Sequence, residues 1–322
     1  MRNHLGLATA IGRLTRGSIA IGNFDGVHLG HQALFAAARR GAAQRGGPVC
    51  ALTFEPHPAR VLQPQMAPPL VCTHARKLEL LAAQGVTELV EQPFDAAFAA
   101  TEAQAFVELL CATGVAEVVV GQDFTYGKGR TGRTESLRGA LEERGVHLTL
   151  IPPVEESGVV VSSTKIRQLV LEGKVDLAQP LLGRAFDVTG EVVKGAGRGR
   201  TLGWPTANVR TSNELMPALG VYATQFSIGE TSADGTVTFG PPHLGAANLG
   251  LNPTFTQPGS QQVSLEVFVL DFAGDLYGKT VRVEFVKRLR AERKFPGLDA
   301  LRAQITADVE QVRALLGGDR PR

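Results

Sequence analysis

The chain of 322 residues is long enough for two domains or for one large domain. With 43% hydrophobic and 20% charged residues, its composition is that of an ordinary soluble globular protein and excludes a disordered or fibrous chain. The formal net charge of +2 gives no reason to expect a nucleic-acid or membrane partner.

Three cysteines, Cys50, Cys72 and Cys111, bear on the redox environment of the chain. Their number is odd and no C-x-x-C spacing occurs, which argues against a disulfide framework and against a zinc site. We therefore expect reduced thiols and a cytoplasmic location. The N-terminal apolar stretch is short and is interrupted by glycines and Arg13. We expect neither a signal peptide nor a membrane-spanning segment.

The first informative stretch joins a predicted strand at 18–21 to a predicted helix at 30–40. Between them the sequence reads G-N-F-D-G-V-H-L-G-H, residues 22–31, with His28 and His31 where the helix begins. The first N–H groups of a helix have no partner within the helix and attract phosphate. Imidazoles at the same point can donate hydrogen bonds to phosphoryl oxygens as charge develops on them.

This string resembles the N-terminal half of the bacterial bifunctional riboflavin kinase/FMN adenylyltransferases, also called FAD synthetases. The H-x-G-H part alone resembles the wider nucleotidylyltransferase superfamily, which transfers a nucleotide monophosphate to an acceptor. The resemblance implies that His28 and His31 are catalytic. It also implies that Asn23 and Phe24 contact the nucleotide or the flavin.

The rest of the first half alternates strands with helices, which predicts a parallel sheet with helices on both faces. Ligands of such sheets bind at the carboxyl ends of the strands, near the point where strand order reverses. His28, His57 and Asp123 each follow a predicted strand, so we expect them to converge. The further predicted strands are 49–54, 88–92, 116–120 and 147–151, and the further predicted helices are 73–84, 94–113, 135–144 and 163–172.

Two loops of this half carry further candidates. The segment 121–132 has four glycines together with Lys128 and Arg130, and a flexible cationic loop of this kind can wrap an anionic substrate. It resembles the family's G-x-D-F-x-F-G segment, with Tyr126 in place of the second Phe, which implies that Asp123 and Phe124 contact flavin or nucleotide. The F-x-P-H-P segment around His57 implies a contact beside the nucleotide, although His57 could equally be an ordinary loop histidine.

The helix predicted at 163–172 begins with S-S-T-K-I-R, residues 162–167. Positive charge in the first turn opposes the helix dipole, which makes physical sense if an anion binds at the same end. The segment resembles the family's S-S-T-x-I-R motif. That resemblance implies that Ser163, Thr164 and Arg167 bind the ATP phosphates.

Beyond Gly173 the segments become shorter and richer in turns, and we place a domain boundary near Gly183. This gives an FMN adenylyltransferase domain at 1–183 and a riboflavin kinase domain at 184–322. A strand is predicted at 186–194, and the glycine-rich loop that follows it is not a dinucleotide fingerprint, because no helix follows. The loop can cover phosphates through its backbone N–H groups and arginines. Its candidate binding residues are Gly195, Gly197 and Arg200.

The eight-residue string 201–208 resembles the riboflavin kinase signature G-R-x-L-G-W/F-P-T-A-N. Thr206 and Asn208 offer a hydroxyl and an amide oxygen, which are hard ligands suited to a Mg²⁺ ion that also holds ATP phosphates. We therefore expect these two residues to bind both the metal and the nucleotide.

Two later residues complete the kinase prediction. Glu266 lies in V-S-L-E-V-F-V-L, where apolar residues on both faces of the strand should remove water from its carboxylate, which suits a general base. In the family the matching glutamate activates the ribityl 5′-hydroxyl of riboflavin. Arg290, in a segment resembling the family's L-R-x-E-x-K-F, would meet the flavin or the product phosphate. A final helix is predicted at 298–316, packed across a small antiparallel barrel.

The expected fold is thus an α/β, Rossmann-like nucleotidylyltransferase domain followed by a riboflavin kinase-like β-barrel. The expected substrates are ATP, riboflavin and FMN, the expected product is FAD, and a homo-oligomer is compatible with the sequence. Two alternatives stay open. One is a related transferase with another acceptor, such as a pantetheine phosphate or a nicotinamide nucleotide. The other is a non-catalytic flavin-binding or regulatory protein.

Overall fold

The computed structural model describes residues 1–195, 204–233, 235–253 and 261–317. The chain forms two compact units, Met1–Ser163 and Thr164–Arg322. The helix Val175–Leu182 belongs to the second unit because it packs on strands of that unit. The division between the units therefore precedes the change in sequence character near Gly183.

The first unit contains ten strands and six helices. The strands are β1 Arg2–Leu5, β2 Ser18–Ile21, β3 Val49–Glu55, β4 Glu88–Pro93, β5 Glu117–Gly121, β6 Thr125–Tyr126, β7 Gly132–Arg133, β8 His147–Ile151, β9 Glu155–Glu156 and β10 Val159–Val160. The helices are α1 Leu29–Arg45, α2 Pro58–Leu62, α3 His74–Ala83, α4 Ala96–Ala99, α5 Ala103–Ala112 and α6 Thr134–Glu142, with 3₁₀ turns at Leu7–Ala10, Pro64–Met66 and Lys128–Arg130.

Six of these strands form one parallel sheet in the order β1-β4-β3-β2-β5-β8. Successive strand residues point to opposite faces, so Ile19 packs with α5 and α6 while Ala20 packs with α1 and α3. The predicted parallel sheet with helices on both faces is confirmed. The strand order reverses at β2, which pairs with β3 on one side and with β5 on the other.

Two features of the first unit differ from the prediction. The helix predicted at 94–113 is two helices, because the chain turns at Ala100 and Thr101 before α5 begins at Ala103. Strand β1 was not predicted; it is a short edge strand whose His4 faces a buried glutamate, Glu88, of β4 at 2.7 Å.

Within the residues that the structure describes, the second unit contains three helices and seven strands. The helices are α7 Ser163–Leu171, which starts at the last residue of the first unit, α8 Val175–Leu182 and α9 Leu298–Leu316. The strands are β11 Phe186–Val193, β12 Thr206–Thr211, β13 Gly220–Thr231, β14 Val237–Phe239, β15 His243–Pro253, β16 Gln261–Val269 and β17 Thr280–Arg290.

These strands form an antiparallel sheet in the order β14-β13-β15-β16-β12-β11-β17. A further pairing between β13 and β17 closes six of them into a barrel, with β14 added at the edge of β13. Helix α9 packs on β13 and β15 through Val312 and neighbouring apolar residues. The predicted barrel with a closing helix is confirmed.

Candidate active sites

A cavity of about 860 Å³ lies at the carboxyl ends of the parallel strands. Residues that follow three adjacent strands line it: Asn23 after β2, His57 after β3 and Asp123 after β5. The expected convergence of His28, His57 and Asp123 is therefore found where the strand order reverses, which is where open α/β sheets bind ligands.

His28 and His31 form a stacked pair at the start of α1. Their ring centroids are 3.6 Å apart with 17° between the ring planes. A Cβ on Gly30 would lie 3.1 Å from Cε1 of His28, so the glycine of H-x-G-H gives the rings the room to stack. The spacing of the motif thus has a packing reason in this chain.

The backbone fixes which nitrogen of His28 carries a proton. His28 is the N-cap of α1, and its Nδ1 accepts a long hydrogen bond of 3.4 Å from the backbone N–H of His31. Nδ1 of His57 likewise accepts from the N–H of Ala59 at 3.2 Å, at the start of α2. When Nδ1 accepts, the proton of a neutral imidazole is on Nε2. In each ring, the neutral tautomer that fits this hydrogen bond can donate from Nε2.

His31 is held as a neutral ring. Burial, and then the neighbouring His28, lower the pKa of His31 well below its usual 6.5. Its Nδ1 is buried and makes no hydrogen bond among the residues that the structure describes. A neutral imidazole can donate to a phosphoryl oxygen without carrying a full positive charge into the cavity.

Phe24 does not line the cavity. It is fully buried, with its ring edge-on to His31 at 5.3 Å and packed on Phe35 at 4.6 Å. The prediction that Phe24 contacts a ligand is therefore corrected, because no surface of its ring is left for one. Its physical contribution is to hold the ring of His31 in place.

The loop between β2 and α1 is hydrogen-bonded to Ser163, the last residue of the first unit. The Ser163 hydroxyl donates to the backbone oxygen of Asp25 at 2.9 Å, and the Asp25 carboxylate accepts from the N–H of Val71 at 2.8 Å. Thr164 is exposed and Arg167 is half-buried on α7, and both belong to the second compact unit.

One wall of the cavity is aromatic, and this wall was not predicted from the sequence. Phe54, Phe94 and Phe98 lie 5.8 to 6.1 Å apart, and Phe124 stacks on Tyr126 at 5.8 Å. All five line the cavity. Phe94 and Phe98 are neighbours in sequence, as are Phe124 and Tyr126, but the wall joins three separate segments, and no single local pattern predicts that they meet.

A second cavity, of about 460 Å³, lies in the barrel unit. Its lining includes Gly195, Thr206 and Asn208, together with Phe272 and Tyr277. The close approach at Gly195 is notable, because a Cβ there would lie 2.3 Å from Nδ2 of Asn208. The glycine therefore permits the backbone to pass against the Asn208 amide. Gly197 and Arg200 lie outside the described residues.

Glu266 lies beside the same pair of residues. Asn208 is its direct partner across β12 and β16, and the Thr206 hydroxyl donates to Oε2 of Glu266 at 3.4 Å. Directly opposite residues of an antiparallel pair share a face. The strand register thus brings the metal-ligand candidates and the base candidate together.

The surroundings of Glu266 differ from the expectation. Leu265 and Val267 are buried on one face of β16, while Glu266 is half-buried on the other face. Its partner across β15 is Asn248, so an amide flanks the carboxylate on each side. The expectation of an apolar setting is wrong, because the alternation of the strand directs Glu266 to a polar row. Asn248 was missed, and only the strand register reveals it.

Arg290 is not among the described residues that line the barrel cavity. At the end of β17, its guanidinium donates to both carboxylate oxygens of Asp308 on α9, at 2.8 to 3.1 Å. Asp308 is buried, so this pair holds the closing helix on the barrel.

Any metal at Thr206 and Asn208 would be held by neutral oxygens. The described residues contain no group of three or more His, Cys, Asp or Glu side chains able to hold a metal ion. A hydroxyl and an amide oxygen on one face of β12 fit instead an ion that a nucleotide's phosphates also hold.

Comparison with known proteins also divides the chain into two parts. A family model described as FAD synthetase matches residues 12–165, and one described as riboflavin kinase matches residues 182–316. A protein of Pseudomonas fluorescens named bifunctional riboflavin kinase/FMN adenylyltransferase is 38% identical over 303 residues, covering 93% of each chain. Its namesake in Escherichia coli strain K12 is 39% identical over 306 residues, covering 94% of each chain.

A solved structure has a closely similar fold. It is described as a macrolide-efflux protein from Streptococcus pneumoniae, and it superposes with a TM-score of 0.84 at 33% identity, covering 97% of this chain and 98% of that chain. Among the helices that the structure describes in the present chain, none has the length and apolar character needed to cross a membrane.

Proposed function

The chain belongs to the family of bifunctional riboflavin kinase/FMN adenylyltransferases, and we propose a division of its two reactions between the two cavities. It phosphorylates riboflavin with ATP to give FMN, and it adenylylates FMN with a second ATP to give FAD and pyrophosphate. We assign adenylylation to residues 1–183 and phosphorylation to residues 184–322. The family models, which end at 165 and begin at 182, support this assignment.

Beside the barrel cavity we assign the role of general base to Glu266, which contacts the lining residue Thr206 but is not itself among the described lining residues. It takes the proton of the ribityl 5′-hydroxyl, whose oxygen bonds to the γ-phosphorus of ATP while the bond from that phosphorus to ADP breaks. Thr206 and Asn208 would hold the divalent ion, which we take to be Mg²⁺, and the ion would neutralise phosphate charge when bound. The observation that supports this most directly is the position of Glu266 beside both residues.

In the larger cavity the residues of the chain position the two substrates and donate hydrogen bonds to them. A phosphate oxygen of FMN attacks the α-phosphorus of ATP, and the bond to pyrophosphate breaks. The FMN phosphate is already ionised, so no strong base is needed. The stacked pair of His28 and His31 supplies hydrogen-bond donors for the charge that develops, with His31 as a neutral ring. We also propose that Ser163, Thr164 and Arg167 bind the ATP phosphates; none of the three is among the residues that line the cavity in this structure.

The aromatic wall supports a flavin as the acceptor in this cavity. Phe54, Phe94, Phe98, Phe124 and Tyr126 offer flat apolar surface, which suits the isoalloxazine ring through offset or edge contacts. A pantetheine phosphate has no ring system of that size to cover such a wall. A flavin therefore fits better than this alternative acceptor.

The thiols support a cytoplasmic enzyme. All three cysteines are free, and burial, with a contribution from Glu88, raises the pKa of Cys50 to about 12. Such a thiol stays protonated and unreactive at neutral pH. We propose small-molecule partners only, with a homo-oligomer left as an option for the assembly.

Product analysis tests the proposal. The purified chain is incubated with riboflavin, ATP and MgCl₂, and the flavins are separated by chromatography; parallel reactions replace the flavin with a pantetheine phosphate or a nicotinamide mononucleotide. We expect riboflavin to convert to FMN and then to FAD, with no product from the other acceptors. If riboflavin stays unchanged, and if FMN supplied in its place also stays unchanged, the proposal is overturned and a binding protein is favoured.

A further inference from the structure

The hairpin formed by β6 and β7 presents a short tip, residues 127–131, beside the larger cavity. Thr125 pairs with Arg133 and Tyr126 with Gly132. The Tyr126 ring lies on Gly132, where a Cβ would be 2.5 Å from the ring atom Cζ. This contact fixes the base of the hairpin, so the tip is not simply a mobile loop.

The tip is also fixed at its start. Gly127 has a φ of 74° and packs on Ala103, with a notional Cβ 2.7 Å from the Ala103 Cα. The N–H of Lys128 donates to the backbone oxygen of Thr101 at 2.8 Å, where the chain turns between α4 and α5. The Lys128 ammonium lies 3.6 Å from the carboxylate of Glu102. Lys128 is therefore directed to Glu102, and it is not among the residues lining the cavity.

Arg130 has a different position. It lines the cavity, and its φ of 58° puts a non-glycine residue in the left-handed region. Backbone strain of this kind persists only where the surrounding structure enforces it, and it concentrates at functional sites. Gly127 and Gly129, both with positive φ, shape the same tip. Arg130 is thus held at the cavity by the fold of the tip.

The charges that line the cavity indicate that Arg130 compensates phosphate charge. Among the described residues that line it, Arg130 is the only lysine or arginine, and Asp123 is the only carboxylate. The reaction brings the phosphate of FMN against the phosphates of ATP, and these groups repel each other. His31 is neutral, so the histidine pair does not supply full compensation.

We propose that Arg130 binds phosphate oxygens of a substrate in the larger cavity, through the planar fork that a guanidinium offers to phosphate. This inference rests on the proposed adenylylation of FMN. The phosphate is that of FMN or that of ATP, and the two sources share the same chemistry. Kinetics with each substrate varied in turn distinguishes them.

The test compares Arg130→Ala with Arg133→Ala. Arg133 is a matched control because it is exposed on the same hairpin but does not line the cavity. FAD formation is measured with FMN and ATP supplied directly, and thermal unfolding followed by circular dichroism reports whether each variant is folded as the unchanged protein is. Arg130→Lys keeps the charge but loses the fork.

We expect Arg130→Ala to raise KM for one substrate about ten- to one-hundredfold, the scale of a hydrogen bond to a charged group. Arg130→Lys should recover part of the loss, and Arg133→Ala should behave as the unchanged protein. A rise for FMN alone assigns the FMN phosphate, and a rise for ATP alone assigns the ATP phosphates. If neither KM changes, or if Arg133→Ala has an equal effect, the inference is overturned while adenylylation stands. If the unchanged protein forms no FAD, the proposed function fails and the inference fails with it.

Discussion

The hydroxyl of Thr206 lies 3.4 Å from Oε2 of Glu266, across two neighbouring strands of the barrel. This relationship places a candidate metal ligand and a candidate base within reach of one phosphoryl group. It also gives the barrel cavity a chemistry that can be tested without disturbing the larger cavity.

The first prediction concerns Glu266→Gln. The amide keeps the shape of the side chain but cannot accept the hydroxyl proton, so we expect FMN formation to fall about 10²- to 10⁴-fold. Conversion of supplied FMN to FAD should continue at the rate of the unchanged protein, which serves as the internal control. Chromatography of the two reactions checks both statements. A variant that still phosphorylates riboflavin at the normal rate would refute the assignment of Glu266 as the base.

The second prediction concerns Gly195→Ala. The new Cβ would lie 2.3 Å from Nδ2 of Asn208, and a side-chain amide can rotate away more easily than a backbone can move. We expect the variant to need a higher Mg²⁺ concentration for half-maximal riboflavin phosphorylation, because one metal ligand is displaced. Gly297→Ala is the control, since a Cβ at Gly297 meets no atom within 4 Å. An unchanged Mg²⁺ requirement in Gly195→Ala would remove Asn208 from the metal site.

The third prediction concerns His28. Replacing it with Ala removes a donor and also the N-cap of α1, whereas Asn restores a cap without the imidazole. We expect both variants to lose about 2 to 4 kcal/mol of transition-state stabilisation in FAD formation, the scale of one such donor. Only the Ala variant should also melt at a lower temperature. Full FAD formation by His28→Asn would show that the histidine is merely a cap.

The fourth prediction concerns pH and His31. Its pKa is lowered in the folded state, so between the ordinary value of 6.5 and the folded value only the unfolded chain binds this proton. Stability contributed by the neutral ring is therefore present above pH 6.5 and is lost as pH falls below it, by at most about 1.4 kcal/mol per pH unit. Urea unfolding at pH 7.5 and 5.5 should show a smaller loss in His31→Gln, which cannot take up the proton. Equal losses in the two proteins would contradict the buried neutral ring.

Much of the fold follows from local patterns in the sequence. The strand at 147–151 and the final helix at 298–316 have the bounds that were predicted, because apolar periodicity and a flanking glycine define them. The alanine-rich stretch at 94–113 led to the wrong prediction of one continuous helix. Helix propensity does not indicate the tertiary contact that is made where the helix is interrupted. That contact is the hydrogen bond from Lys128 to Thr101.

The candidate sites were predictable where one motif carries the chemistry, or where several motifs each follow a strand of the parallel sheet, as for His28, His57 and Asp123. His28 and His31 share one motif, as do Thr206 and Asn208, and each pair lies at a cavity. Asn248 and the aromatic wall depend on which strands become neighbours and which segments meet, and no local pattern encodes that. Phe24 lies within a motif but does not line the cavity; it supports the ring of His31 instead.

The most direct test of two separate sites is a mixing experiment with the Glu266→Gln and His28→Ala proteins, each given riboflavin, ATP and MgCl₂. Alone, Glu266→Gln should leave riboflavin unchanged and His28→Ala should accumulate FMN. Mixed, the two should form FAD, because FMN made in the barrel cavity of one protein is adenylylated in the larger cavity of the other. FAD formation at the full rate by either protein alone, or its absence from the mixture, would contradict the account.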